Sequence, residues 1–263
     1  MNHLDLFSGI GGFSLAASWV WGDEHNIVSF VEIDRGCQKI LLKNFPGVPI
    51  VSDIRDYNHD GSHVDLLTGG FPCQDISIAN PNPKGICGER SGLWSEMHRL
   101  IRDIRPRRAI VENVPAITVR GIGQVLGGLA QIGYDAEWDM LPASLVGAPQ
   151  KRERFFLIAF PCGSFGERGI LANVKYDIQI HQEWSSTKNI ITGREWQRWL
   201  NKTSFNLDGV ISKSDFCGMD DGLPEDLDRI GLIGNAIVPQ VVVPIMQAIK
   251  DIDENIVMQS KGA

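Results

Sequence analysis

Three clusters, each beside an apolar run, hold the side chains of this sequence that could do chemistry. The first is Cys73, in Thr68-Gly69-Gly70-Phe71-Pro72-Cys73-Gln74, directly after the strand-like run Val64 to Thr68. A thiol with an ordinary pKa near ~8.5 is mostly protonated at neutral pH, so catalytic use needs a base or an electropositive setting. An arbitrary cysteine is more often a buried, inert thiol, but the glycine and proline context weakens that reading here. The second is Glu112, which closes Ala-Ile-Val-Glu and begins Glu112-Asn113-Val114-Pro115. A carboxylate after three apolar strand residues is costly unless paired or bound to substrate, and such a group can be tuned to hold or give a proton. The third is Gln150, Arg152 and Arg154, which share one face if their segment is extended, with Lys151 and Glu153 on the other. Arginines so placed could hold Glu112, a phosphate or the carbonyl of a base, and a solvated strand end is the plainer alternative.

A ligand site is signalled at the amino end. Phe7-Ser8-Gly9-Ile10-Gly11-Gly12 lies between a strand-like and a helix-like run, where glycines let a ligand approach the backbone and helix N–H groups meet its polar atoms. A dinucleotide fingerprint would need glycine where Ser14 stands, which argues against a nicotinamide cofactor. Glu32 follows about twenty residues later, the distance at which a carboxylate receives ribose hydroxyls in such folds. Asp53-Ile54 offers an acceptor for an exocyclic amine and an apolar face for a purine.

The elements that must position these groups alternate. Strands are predicted at 3–7, 27–33, 48–51, 64–68, 109–112, 134–140 and 155–160. Helices are predicted up to Trp21, around Cys37, Ile40 and Leu41, from a Ser91 cap through Leu93, Met97, Leu100 and Ile104, at 122–132, and at 236–249 despite Pro239 and Pro244. Residues 134–140 alternate apolar and acidic, the mark of a strand with one wet face, whereas 155–160 is apolar throughout and reads as buried on both faces. The fold class is therefore α/β, an open Rossmann-like sheet.

The chain has 263 residues, 43% hydrophobic, with 28 Gly and 13 Pro, which excludes collagen-like, disordered and disulfide-scaffold classes. Its five cysteines are odd in number and lack C-x-x-C spacing, so no zinc site or disulfide framework is expected. With no run of ~20 apolar residues and no signal-peptide pattern at the start, the expectation is a cytoplasmic chain without membrane contact. The net charge of −7 is uneven: −6 over residues 1–83, +3 over 84–160, +1 over 161–217 and −5 over 218–263. An acidic shell thus flanks a mildly basic middle. Arg99, Arg102, Arg105, Arg107 and Arg108 crowd one helix end, where complementing the helix dipole is favoured over nucleic-acid contact.

In order, these pieces resemble the motifs of the DNA (cytosine-5) methyltransferases. The matching residues are Asp5-Leu6-Phe7-Ser8-Gly9-Ile10-Gly11-Gly12, Glu32-Ile33-Asp34, Ser52-Asp53-Ile54, Gly70-Phe71-Pro72-Cys73-Gln74, Glu112-Asn113-Val114, Gln150-x-Arg152-x-Arg154 and Gly234-Asn235-Ala236. The resemblance spans residues 3–160 and 227–250. It implies S-adenosylmethionine as cofactor, with Phe7, Gly9 and Gly11 around it, Glu32 on ribose, Asp53 and Ile54 at adenine, and Pro72 and Asn235 completing the pocket. Ile33 stands where some relatives place an aromatic ring against adenine. It further implies that Cys73 attacks C6 of a cytosine swung out of double-stranded DNA, that Glu112 contacts N3 and the exocyclic amine, and that Arg154, with Arg152, holds the base and the carboxylate.

The expected organisation is a catalytic domain over 1–160, a small target-recognition domain over 161–226 and a C-terminal segment, 227–263, completing the catalytic domain. Lys175, Lys188, Arg194, Arg198 and Lys202 are the candidate DNA contacts of the middle part, and 76–90, with Lys84 and Arg90, a candidate lid. A monomer is expected, without metal; a restriction endonuclease outside this chain is a candidate partner, and the sequence does not tell whether one exists. The alternatives are a tRNA cytosine-5 methyltransferase of the same family and a catalytically silent cofactor-binding module. Cys73, Glu112 and Arg154 disfavour the latter.

Overall fold

The first strand shows how the sheet is built. β1 (Asn2–Leu6) presents Leu4 and Leu6 to one side and His3 and Asp5 to the other, and all four are buried, so both faces are covered. The structure is a computed structural model, and it describes residues 1–72, 92–146, 151–164, 169–171, 174 and 236–261, with side chains to residue 254. The expected target-recognition domain, the 76–90 segment, Ser91, Cys73, Gln150 and Asn235 therefore lie outside the described residues, apart from 161–164, 169–171 and 174.

After β1 come α1 (Gly12–Trp21), β2 (Asn26–Val31), α2 (Arg35–Asn44) and β3 (Ile50–Val51). Then follow β4 (Leu66–Gly69), α3 (Leu93–Ile104), β5 (Arg108–Asn113), α4 (Ile117–Arg120) and α5 (Ile122–Gln131). β6 (Tyr134–Pro142), β7 (Glu153–Pro161) and α6 (Pro239–Lys261) complete the described elements. The strands form one seven-stranded sheet in the order β3-β2-β1-β4-β5-β7-β6. The pairs from β3 to β5 are parallel, and β7 runs antiparallel to both of its neighbours. This is the expected α/β class. Strand order reverses between β1 and β4, and the carboxyl ends flanking such a switch point open a crevice in which ligands bind.

One layer packs α3 and α5 on Leu4, Leu67, Val111, Phe155 and Leu157. The opposite layer packs α1 and α6 on Leu66, Ile110, Phe156 and Ile158. Residues 155–160 of β7 are buried throughout, as their unbroken apolar run predicts. β6 departs from the one-wet-face expectation. Trp138, on its apolar stripe, is 43% exposed, while Glu137, on its acidic stripe, accepts the Gly169 and Leu171 N–H groups at 2.6 and 2.5 Å. Residues 169–171 thus cover the side that the alternation assigns to water.

The last helix begins three residues later than predicted and runs well past Ile249. Pro239 suits a first helical position, where its missing N–H costs no bond. Beyond Ile249 the helix continues, with Ile252 packed against the core and Asp253 receiving Arg107 and Arg108 at 3.0 Å each. The other arginines of that cluster are likewise engaged within the chain. Arg99 meets Glu96, Arg102 meets Asp103, and Arg105 bonds the Ile132 carbonyl and lies over the Tyr134 ring. None of the described helices is long and apolar enough to cross a membrane.

Gly12 is where α1 meets the segment leading into α6. A Cβ there would lie 2.2 Å from Cγ2 of Ile237 and 3.0 Å from its carbonyl oxygen. Gly12→Ala should therefore cost about 1–3 kcal/mol as overpacking, read as a lower denaturant midpoint. An unchanged midpoint would mean that this approach is not tight.

Candidate active site

The glycine turn is held by its own backbone. Ser8 N–H bonds the Val31 carbonyl at 3.1 Å, Gly11 N–H bonds the Ser8 carbonyl at 2.8 Å, and the Ser8 hydroxyl donates to the Asp5 carbonyl at 2.6 Å. The chain turns through left-handed φ values at Phe7 (51°), Gly9 (54°) and Gly11 (88°). The two glycines serve different ends. A Cβ on Gly11 would strike the Phe45 ring at 2.7 Å, whereas a Cβ on Gly9 would meet nothing within 4 Å. Open space at Gly9, beside a helix start whose N-cap Gly11 offers no side chain and whose Ser14 N–H is taken by the Asp5 carboxyl, leaves a cradle that could receive polar ligand atoms.

Glu32 closes one side of the cradle. Its carboxylate receives Gly9 N–H at Oε2 and Asp34 N–H at Oε1, both at 2.7 Å, and it is only 8% exposed. Burial pushes its pKa up, and the two N–H groups pull the other way. A carboxylate has roughly four lone-pair positions, so acceptor capacity remains for a diol. Gln38 steadies this corner by donating to the Glu32 carbonyl at 2.6 Å and to the Ser52 hydroxyl at 3.1 Å. Ile33, next along the chain, is 69% exposed. Asp53 is engaged by Arg55, whose Nη2 lies 2.6 Å from Oδ2, and this pairing holds its carboxyl below the usual range. The Ile54 side chain is buried in the core, 3% exposed, so it offers no open apolar face to a purine. Phe7, Gly9 and Gly11 form the turn, Glu32 bonds it at Gly9 and Ile33 is exposed alongside, while the Gly11 side of the turn packs on Phe45 and Leu41.

The second half of the site lies at the carboxyl ends of β4 and β5. Glu112 pairs in register with Phe156 of β7, so Arg154, two residues before Phe156, lies diagonally opposite on the same face. Its Nε sits 3.0 Å from Glu112 Oε1. Burial nonetheless dominates and raises the Glu112 pKa to about 7, against the pull of Arg154 and then Arg152. The carboxyl can therefore exist in either form near neutral pH. Arg152 reaches this region differently from the expected extended alternation. Its φ is +28° and β7 begins only at Glu153, so the chain kinks and Nη2 donates to the Ala236 carbonyl at 2.6 Å. Arg152 thereby ties the Glu112 corner to the residue that follows Asn235.

Residues outside the predicted set also shape the site. A Cβ on Gly70 would lie 2.8 Å from Glu112 Oε2, so the absence of a side chain there lets the carboxyl lie flat against the segment leading to Pro72. Asn113, 2% exposed, donates from Nδ2 to the Phe71 carbonyl at 3.2 Å and fixes the same segment from β5. Asp34 caps α2 by accepting Cys37 N–H at 2.9 Å, a role that its place three residues ahead could have signalled. Gly70 is marked only as the first residue of Gly70-Phe71-Pro72-Cys73-Gln74, which does not tell what it must clear. Among the described residues no group of three His, Cys, Asp or Glu side chains could hold a metal ion.

Gly70→Ala keeps an accessible backbone but pushes a methyl into Glu112. Any activity of the site should fall by at least about tenfold, given what sub-ångström misplacement of reacting groups costs, with the thermal midpoint moving little. Undiminished turnover would show that Glu112 needs no such fit. The raised Glu112 pKa also fixes a sign. If the protonated carboxyl is the working form, kcat/KM loses activity as pH rises through about 7, and Glu112→Gln removes that limb.

A family model described as C-5 cytosine-specific DNA methylase matches residues 1–208. Type II methyltransferase M2.BsuMI of Bacillus subtilis (strain 168) is 36% identical over 167 residues, covering 60% of this chain and 42% of that protein. Type II methyltransferase M.DsaV of Dactylococcopsis salina is 32% identical over 165 residues, covering 61% and 46%. The chain thus spans less than half the length of these curated relatives. The solved structure of Entamoeba histolytica methyltransferase EhMeth covers 95% of this chain and 98% of its own with a TM-score of 0.60, and at 17% identity it supports the fold alone. On the family match over most of its length, the chain belongs to the C-5 cytosine-specific DNA methylases.

Proposed function

We propose that this chain methylates C5 of a cytosine extruded from double-stranded DNA, using S-adenosylmethionine and a transient bond from Cys73 to C6. The observation that carries the reading is Glu112, a carboxyl poised near neutrality at the carboxyl end of β5 and held by Arg154 against the segment that leads to Cys73. Cys73 itself lies outside the described residues and is assigned by its place in Gly70-Phe71-Pro72-Cys73-Gln74.

The cofactor is supported by the donor set around the first turn. Open space at Gly9 beside the start of α1, the remaining acceptor capacity of Glu32 and the exposed Ile33 match an amino acid, a ribose diol and an adenine ring. Phe7, Gly9, Gly11, Glu32 and Ile33 would hold it, with Asp53, Ile54, Pro72 and Asn235 at its margins. When bound, it supplies an electrophilic methyl group.

The chain's own residues then have defined tasks. C5 of cytosine is too weak a nucleophile to be methylated directly. Addition of the Cys73 thiolate to C6 moves the ring's electron pair toward C5 and N3, and Glu112 supplies a proton at N3 that keeps this charge from building up. Arg154 orients Glu112, and Arg152 keeps the Ala236 segment in register with it. Once C5 has taken the methyl group, loss of the C5 proton to a base re-forms the C5–C6 double bond, breaks the C6–S bond and frees Cys73 as thiolate, and N3 returns its proton to Glu112. A duplex hides C6, so the base must be swung out at a cost of a few kcal/mol, which DNA contacts must offset. We assign those contacts to residues 161–226, between the catalytic parts 1–160 and 227–263.

Cys73→Ala should bind S-adenosylmethionine and transfer no methyl to duplex DNA, and Glu112→Gln should slow transfer by roughly 10²–10⁴. Labelled methyl transfer to duplex DNA and to tRNA, followed by sequencing of the modified positions, tests both the chemistry and the substrate. Wild-type rates in Cys73→Ala would end the covalent reading, and transfer to tRNA alone would replace the DNA reading.

A further inference from the structure

Five side chains that the proposed chemistry leaves unused form one continuous hydrogen-bonded chain beneath the glycine turn. His25 Nε2 lies 3.0 Å from His3 Nδ1, and His3 Nε2 lies 2.7 Å from the Thr68 hydroxyl. That hydroxyl lies 2.9 Å from Asp5 Oδ1, and the Ser14 hydroxyl donates to Asp5 Oδ2 at 2.7 Å. His3, Asp5, Ser14 and Thr68 are completely buried, while His25 is half-buried just before β2. Ser14 belongs to the first turn of α1, so Asp5 is joined to the helix start that follows the turn.

The chain has two self-consistent polarities. With Asp5 ionised, a carboxylate can only accept, so Thr68 donates to it, His3 donates from Nε2 to Thr68, and His25 donates from Nε2 to His3 Nδ1. With Asp5 protonated every link except Ser14 reverses, and His3 carries its proton on Nδ1. Conversion needs one proton, taken up at Nδ1 of His25, after which each member passes on the proton that it held. Both imidazoles are neutral near pH 7, because burial pushes His3 well below its ordinary value and His25 to about 4.

We propose that His3, Thr68 and His25 are positioning residues that set the charge of Asp5 under the methyl-donor turn, making the turn's affinity depend on pH through this reversible relay. The inference rests on the reading of that turn as the S-adenosylmethionine site. Burial raises the Asp5 pKa to about 7, with the Ser14 and Thr68 hydroxyls pulling down and Glu32 adding repulsion. Other charged groups point elsewhere. The Met1 ammonium beside His25 donates to the Glu24 carbonyl, Asp65 pairs with His63 at the start of β4, and Lys250 of α6 donates to the Val20 carbonyl at the far end of α1. Rising pH therefore places a negative charge under the turn, and the positively charged methyl donor should bind more tightly above neutrality than below.

The test uses the full chain with nitrogen-15-labelled histidine. On going from about pH 8.5 to about pH 5.5, NMR should show His3 exchanging its proton from Nε2 to Nδ1 with a midpoint near 7 in the wild type. Asp5→Asn, whose amide donates to Thr68, should hold the Nδ1 form throughout, and Thr68→Val should abolish the exchange. Calorimetry should give at least about fivefold tighter S-adenosylmethionine binding at the higher pH in the wild type, and no such gain in Thr68→Val. A His3 tautomer constant across the range would overturn the relay and leave the methyl-donor reading intact. Exchange without any change in affinity would overturn the coupling. No binding at any pH would overturn the methyl-donor reading and the coupling with it, while the tautomers still decide the relay.

Discussion

A carboxyl group largely removed from water must be paired, protonated or both, and the site is arranged around how Glu112, with 17% of its side chain exposed, meets that demand. Ala109, Ile110 and Val111, all fully buried, carry it to the end of β5, and Arg154 supplies a guanidinium at 3.0 Å without removing the cost of burial. A solvated partner would hold the carboxyl ionised, and an apolar pocket alone would hold it neutral. Between these limits lies a group able to exchange a proton near pH 7. The same balance costs stability. The folded protein keeps the proton up to about 7 while an unfolded chain loses it near 4.5, so stability falls as pH rises across that window. Asp5, also raised to about 7, acts in the same direction.

The sheet explains why the two halves of the site meet. Because β1 and β4 are neighbours in a parallel sheet, the glycine turn after β1 and the Gly70 segment after β4 leave the same edge, and β5 adds Glu112 beside them. β7 is antiparallel and begins at this edge, so a basic residue at its start, Arg154, faces an acidic residue near the end of β5. The strand reversal that ends the parallel pattern is thus what brings the guanidinium to the carboxyl. On the opposite edge, Asp253 ties α6 to the start of β5 through Arg107 and Arg108, far from the chemistry.

Much of this was readable from residue order because it depends on local pattern. Each of the seven strands falls where an apolar or alternating run lies, and Glu112 announces itself as a charge following three apolar residues. What could not be read depends on contacts between segments distant in sequence. Ser14 counts in the sequence only as a missing glycine, yet in the fold it is a hydrogen-bond donor to buried Asp5. His3 reads as one polar residue in a strand and becomes a link between Thr68 and His25. Gly70 stands in the sequence only as the start of the Gly-Phe-Pro-Cys-Gln motif, but in the fold it leaves room for Glu112. Arg152 was expected in an extended segment, and its positive φ turns it toward Ala236 instead. The acidic stripe of β6 failed as a guide to solvent because a distant segment supplies backbone N–H groups to Glu137.

The most direct measurement is the titration of the Glu112 carboxyl itself, followed by carbon-13 NMR in selectively labelled full-length chain, with Glu112→Gln assigning the resonance. The account predicts a midpoint near 7, reflecting burial that outweighs Arg154. A midpoint at or below the ordinary value of 4.5 would mean that ion pairing wins, and the carboxyl would have no proton to offer at neutral pH.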